Sequence, residues 1–321
     1  MKKSISFILI IVSLCSTAQN QKGEKQILDG YSDSLRIICG KIYSSKTDID
    51  KKKFNQQLLK TFELALNTDF SFTYPFDSLT DIARLVSPDN TFRIINWNIP
   101  YSDGTQEYFG FIQNKHVQVK KKGLFRKERI ETLQLYSLID KSLEIKNPEN
   151  VITDNKKWFG MLYYKIIPIK TKKQTYYTLL GWDGNDKFTS KKIIDVLTFD
   201  DKGLPHFGAD IFNIPKKNPK RVIFEYAASC TMSLKYNAKK DSIVFDHLAP
   251  EQPQLEGQYQ YYCTDMSYDG FGFKRGKWNY GADVSATNEK DNNDKYYNDP
   301  RNTKQTHESN NFILKDKKKK K

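Results

Sequence analysis

The sequence predicts an α+β protein that is mainly β: an N-terminal helical cap on an antiparallel β meander, closed as a sandwich, a barrel or a partial propeller. Three observations predict it. Apolar residues recur at steps of three and four through residues 19–90, then at steps of two through residues 91–284. Turn chemistry such as Asp103-Gly104 and Lys202-Gly203 breaks the second stretch at short intervals. Neither a strand–helix–strand alternation nor a fixed repeat period is present.

Residues 1–18 read as a cleavable export signal. Lys2 and Lys3 supply positive charge, Ile5 to Leu14 are apolar apart from Ser6 and Ser13, and Ser16-Thr17-Ala18 offers a small-residue cleavage site. The apolar run is about ten residues where a bilayer core needs about twenty, so no transmembrane segment is expected. Leu14 is too large to precede a lipidated Cys15, so simple cleavage after Ala18 is expected. The expected address is therefore exported: periplasm, outer-envelope surface or secreted.

Three helices are expected in the cap. Ile27, Tyr31, Leu35, Ile38 and Ile42 line one helical face. Phe54, Leu58, Phe62 and Leu66 line a second, with Thr47 and Asp50 spaced as a capping box. A third begins at Asp77 or Ser78, carries Leu79, Ile82, Leu85 and Val86 inward, and stops at Ser87-Pro88.

The β domain opens with Arg93, Ile95, Trp97 and Ile99 on one face of a strand that returns, across Asp103-Gly104, as Glu107 to Ile112. Residues 115–131 are basic and read as a ragged loop or edge. Trp158 to Ile169 and Thr175 to Trp182 read as a hairpin, Ile193 to Phe199 as a strand ending in Asp200-Asp201-Lys202-Gly203. Arg221 to Tyr226, Thr231 to Tyr236, Ser242 to Leu248 and Phe271 to Tyr280 read as four more strands. Residues 285–321 are rich in Asn, Asp, Lys and Thr and read as a disordered basic tail.

The formal net charge is +14, and six lysines against Asp316 in Lys315–Lys321 contribute much of it. That tail can touch an anionic surface. No arginine cluster interleaved with aromatics marks a nucleic-acid surface, and no nucleic-acid partner is expected. Cleavage after Ala18 leaves Cys39, Cys230 and Cys263, an odd number without metal-ligand spacing. Cys230 and Cys263 are the disulfide candidate; Cys39 lies on a helical face as a small hydrophobe.

The most distinctive segment is Gly181-Trp182-Asp183-Gly184-Asn185-Asp186. Its oxygen-bearing side chains can contact Ca²⁺, although the ligand alternation of a familiar calcium loop is missing. The same aromatic-then-Asp-Gly theme at Tyr101 to Gly104 and at Tyr268 to Gly270 argues for turn chemistry instead. Asp246-His247 closes a strand, and His206 sits in the Asp-Lys-Gly turn region; no spacing of a metalloenzyme or an esterase accompanies them. No catalytic residue, metal ligand or cofactor is assigned from the sequence. Trp97, Trp158, Trp182, Trp278 and the run Tyr259, Tyr261, Tyr262 can stack on sugars or fill a β core.

The segments Leu179 to Asp186, Phe245-Asp246-His247-Leu248-Ala249-Pro250 and Ser267-Tyr268-Asp269-Gly270-Phe271, with the Lys-Lys signal, resemble a group of uncharacterised exported proteins of Bacteroidota-type bacteria. The resemblance covers most of the body, excludes the tail, and implies an envelope address without an assigned reaction. The expected function is a non-enzymatic protein that binds an envelope ligand or protein through Trp182, Asp183, Asn185, Asp186, Asp246 and His247. The alternatives are a hydrolase of envelope polymers (glycan, peptide or ester) and a structural envelope protein.

Overall fold

A computed structural model describes residues 2–122, 126–172 and 174–284, without the side chains of 2–22 and 120–128. The expected tail, with Lys315–Lys321, lies outside the described residues, as do the side chains of the expected export signal.

Two helices open the chain, α1 (Lys2–Ser44) and α2 (Asp48–Leu66). Thr47 caps α2: its hydroxyl accepts from the Asp50 N–H at 3.1 Å and donates to Asp50 Oδ2 at 2.7 Å. This satisfies one of the free amides that every helix start exposes. The buried seam of α1 is Leu28, Leu35, Cys39 and Ile42, while Ile27 is exposed. The seam is thus rotated slightly from the face read in the sequence; packing on α2 chooses between two stripes that share Leu35 and Ile42. The free thiol of Cys39 is buried, and burial pushes its pKa up to about 12. Among the described residues no helix is long and apolar enough to cross a membrane.

Three sheets follow. The first is a meander of β1 (Ala83–Val86), β2 (Phe92–Pro100), β3 (Gln106–Lys122) and β4 (Arg126–Ile139) in that spatial order. The second contains β5 (Thr153–Asp154), β6 (Leu162–Lys170), β7 (Thr175–Asp183), β8 (Thr189–Phe199) and β9 (Pro205–Phe207), ordered β5-β9-β8-β7-β6. The third contains β10 (Phe212–Asn213), β12 (Leu234–Asn237), β13 (Ser242–Pro250), β14 (Tyr262–Lys274) and β15 (Lys277–Gly281), ordered β10-β15-β14-β13-β12. Strand β11 (Val222–Ala227) pairs with β8. Among the described residues all pairings of these strands are antiparallel except β10 with β15. Among the described residues none of the sheets closes into a barrel.

Side-chain alternation stacks these elements in four layers. On β2, Ile95, Trp97 and Ile99 join the helices in one core, whereas Phe92 and Ile94 face the second sheet. On the second sheet Leu179, Ile193 and Leu197 face the first sheet, and their neighbours Leu180, Ile194 and Val196 face the third. The strand is buried on both faces, so its apolar residues point both ways and its polar Arg93 and Asn96 are buried with hydrogen-bond partners. Buried polar groups cross these layers in pairs: Trp97 Nε1 to Asn55 Oδ1 at 2.9 Å, Asn96 Nδ2 to Met161 O at 2.7 Å, and Trp278 Nε1 to Thr178 Oγ1 at 2.9 Å. Three of the four tryptophans, Trp97, Trp158 and Trp278, are core residues.

Four expectations are corrected. Residues 77–82 form turns and not a third helix; Leu79 and Ile82 are still buried, and Leu85 lies on β1 because β2 offers it a hydrogen-bonding edge. Of residues 115–131, read as a ragged loop or edge, 115–122 and 126–131 are the edge and not the loop: they form the outer part of the β3–β4 hairpin, paired from Lys115↔Leu133 to Lys122↔Arg126. Phe271 to Tyr280 is not one strand: it turns at Arg275-Gly276, where both residues have positive φ. The Asp269-Gly270 pair is not a turn but lies inside β14, opposite Phe245 and Val244.

Candidate functional site

The Asp183 loop is built around its own hydrogen bonds. Asp183 ends β7, is buried, and faces the first sheet, where Tyr108 Oη donates to its Oδ1 at 2.8 Å. The Asn185 N–H donates to the same oxygen at 2.7 Å, and the Gly184 N–H donates to Tyr108 Oη at 2.8 Å. Lys191 Nζ lies 4.0 Å from Asp183 Oδ2 and donates to Asn185 Oδ1 at 2.7 Å. Asp186 Oδ1 accepts from the N–H groups of Phe188 and Thr189 at 2.7 and 2.9 Å. Asn185 takes the left-handed conformation that closes the turn. Burial raises the Asp183 pKa, against the opposing hydrogen bonds and Lys191. Trp182 points from the opposite face of β7, half-buried beside Tyr226.

His247 lies in a second cluster, on the third sheet. The β13–β14 register shifts between Asp246 and Leu248, so His247 sits in an irregularity of the ladder. Its Nδ1 lies 2.8 Å from Asp269 Oδ2, and its Nε2 lies 4.0 Å from Asp265 Oδ2. Asp269 is buried and also accepts from Tyr280 Oη at 2.7 Å and from the Asp283 N–H at 3.2 Å. The hydrogen bond to Asp269 raises the His247 pKa above its ordinary value. Burial opposes ionisation of Asp269, yet the bonds from His247 and Tyr280 hold its carboxyl below the usual range. Asp246 turns away from this cluster: its Oδ2 accepts from the Ser233 N–H at 2.7 Å.

The six nominated residues therefore divide between clusters that share no partner. Asp183, Asn185 and Asp186 form one turn with the Trp182 ring against its Gly184, His247 belongs with Asp265 and Asp269, and Asp246 lies apart from both. No group of three or more His, Cys, Asp or Glu able to hold a metal occurs among the described residues. A disulfide joins Cys230 to Cys263, with Cα atoms 5.8 Å apart, and ties the loop before β12 to the start of β14.

A cleft of about 480 Å³ opens elsewhere, lined by residues of the 144–157 segment and by His206 of β9. Behind its wall lies Arg221, fully buried. The guanidinium donates to Asp195 Oδ1 at 3.2 Å, to Val151 O at 3.3 Å and Phe207 O at 3.2 Å, to Thr153 Oγ1 at 3.4 Å, and to Pro148 O. Sequence reasoning missed Arg221, Asp195 and Asp269 as site-forming residues. The one signal available was a charged residue inside an otherwise apolar strand run, Ile193 to Leu197.

The chain matches no protein-family model, no curated protein and no solved structure.

Proposed function

We propose that the protein is a non-enzymatic binding protein of the cell envelope, and that a small anionic ligand enters the cleft beside β9. The supporting observation is the wall fastened from behind by Arg221, which holds Pro148, Val151, Thr153 and Phe207 in place before any ligand arrives. A preorganised wall spares the ordering cost of binding. The volume falls in the range that small ligands occupy. Exposed Lys146 and Lys157 line the cleft, while its acids are engaged: Glu144 with Lys141 at 2.6 Å, Asp154 with the N–H groups of Lys156 and Lys157. Counting Lys141 beside Glu144, three lysines stand against two acids around the cleft, a small positive excess. The envelope address rests on the amino-terminal pattern of residues 1–18.

Calorimetric titration with phosphate, dicarboxylates and uronic acids tests this reading. At least one should bind, and Lys146→Ala/Lys157→Ala should weaken it roughly tenfold, about 1.4 kcal/mol. An intact protein that binds none of them would sink the reading.

The rival is a hydrolase, favoured by the contact between His247 and a buried aspartate. Against it, both imidazole nitrogens face carboxylates and the hydrogen bond to Asp269 raises the ring's pKa, which favours an ion pair over a general base. Turnover of a glycan, peptide or ester substrate that His247→Ala abolishes in a folded variant would favour the rival.

A further inference from the structure

Several turns from three different sheets meet at one end of the molecule. On the first sheet the β2–β3 ladder ends at Phe92↔Asn114, and β3 and β4 continue alone as a two-stranded arm. The root of that arm is tied to the β8–β9 turn: Asn114 Nδ2 donates to Gly203 O and Gln134 Nε2 to Lys202 O, both at 3.0 Å. In the second sheet Tyr177 pairs with Leu197, two residues from the start of β7 and two from the end of β8, so the β6–β7 turn lies at this same end. The third sheet is aligned by Trp278, beside the β14–β15 turn, which donates to Thr178 of β7 at 2.9 Å. Its far end is marked by Tyr164 Oη, which donates to Leu234 O at 2.9 Å. The β12–β13 turn joins the β14–β15 turn through Phe273 N–H to Asp241 O at 3.3 Å.

These turns carry cations. Lys172, Lys202, Lys240, Lys274, Arg275 and Lys277 are all exposed. The register of the arm adds Lys120, Lys121 and Lys122 opposite Glu128, Lys127 and Arg126. The same turns hold three acids: Asp200 Oδ1 accepts from the Lys202 and Leu204 N–H groups, Asp241 accepts from Tyr236 Oη, and Asp201 is exposed. Lys274, Arg275, Lys277 and Asn279 frame a hollow of about 240 Å³, large enough for a phosphate group. Between the cations, Val117 and Val119 are 38% and 56% exposed on one face of the arm, which Leu133, 42% exposed, shares.

We propose that this end docks on the phosphate headgroups of an anionic lipid bilayer. A set of cationic turns at one end fits an extended anionic surface, and each Lys or Arg near such a surface adds to the attraction. Apolar side chains among the cations suit the boundary between headgroup and acyl chain, where they leave water. They have no comparable place along a phosphodiester backbone, so a bilayer is favoured over nucleic acid. The surface is made of residues of the folded body, and only its β8–β9 turn adjoins the cleft, where His206 Nε2 lies 3.6 Å from Asp200 Oδ2.

Co-sedimentation of the full chain with phosphatidylglycerol and with phosphatidylcholine vesicles tests it. Binding to phosphatidylglycerol, weakening with salt, and little binding to phosphatidylcholine are expected. Lys274→Gln/Arg275→Gln/Lys277→Gln, with the tail intact, should weaken binding by about a hundredfold. Val117→Ser/Val119→Ser should weaken it several-fold with unchanged circular dichroism. Equal binding to both vesicles overturns the proposal. So does a folded triple variant that binds like the parent, which would assign the contact to the tail, or tight binding to duplex DNA with no vesicle binding. Small-anion titration in the cleft should be unaffected by either set of substitutions, which separates this result from the ligand reading.

Discussion

Arg221 and Asp195 meet at 3.2 Å with both side chains fully shielded from solvent, where β8 and the start of β11 face the first sheet. Asp195 Oδ1 also accepts from the Val196 N–H at 2.8 Å, and Oδ2 has no hydrogen-bond partner among the described residues. Burial raises the Asp195 pKa while the guanidinium lowers it, and the arginine wall contacts depend on the pair staying intact. The ring of Phe159 lies 5.7 Å from the guanidinium carbon.

Breaking this pair from one side should be costly. Arg221→Met leaves a buried carboxylate and several unpaired carbonyls, and is expected to lower stability by about 3–5 kcal/mol. Arg221→Met/Asp195→Leu should recover part of that loss, because no charge is then stranded. Urea denaturation of the two single variants and the double variant measures the coupling directly.

The His247–Asp269 contact should make stability depend on pH. The folded His247 pKa is raised, so its contribution is complete below the unfolded value of about 6.5 and is lost as pH rises through the folded value. The folded Asp269 pKa is lowered, so its contribution is present above about 3.8 and is lost as pH falls through the folded value. The stabilisation is therefore greatest between these limits. With the imidazole 43% exposed, solvent screening keeps it below about 1 kcal/mol. NMR titration should place the His247 midpoint above 6.5, and Asp269→Asn should bring it down.

Arg93 anchors the segment after α2 to the first sheet without a carboxylate partner among the described residues. It donates to Gln113 Oε1 at 2.5 Å, Tyr74 O at 2.7 Å and Ser71 O at 2.6 Å, with Phe72 and Phe76 near its face. Burial lowers its pKa to about 9, still above neutrality. Arg93→Met removes three donors from buried acceptors and is expected to cost about 2–4 kcal/mol. Hydrogen exchange should show the 66–76 segment opening more readily than in the parent.

The Cys230–Cys263 bond closes a span of 33 residues. By loop entropy its removal should cost about 3–4 kcal/mol. A lower Tm of Cys230→Ser/Cys263→Ser, reproduced by a reductant in the parent and absent in the variant, checks this.

The helices and the principal strands could be read locally because each rests on local spacing. Thr47 and Asp50 announce α2, and Leu58, Phe62 and Leu66 mark its buried face. The short strands β1, β5, β9 and β10 could not be read, since two to four residues carry no resolvable period. The basic hairpin arm reads in sequence as a loop or an edge, and spacing does not choose between them because its exposed outer part lacks the apolar alternation that burial imposes. Candidate sites fared differently. Asp183-Gly184-Asn185-Asp186 is locally connected and was visible as a loop, but its anchor Tyr108 is 75 residues away. Asp269 was visible only as half of an Asp-Gly pair, while its role depends on His247, 22 residues earlier.

By itself the sequence determined the class of the fold and the location of the two helices and most strands, because backbone periodicity and capping are local properties. Only the tertiary structure decided that these strands stack as three sheets under a helical layer. It also decided which charged side chains meet inside and which turns share an end. Those outcomes depend on contacts between residues distant in the chain, where burial and electrostatic pairing act across space and leave no fixed spacing in the sequence.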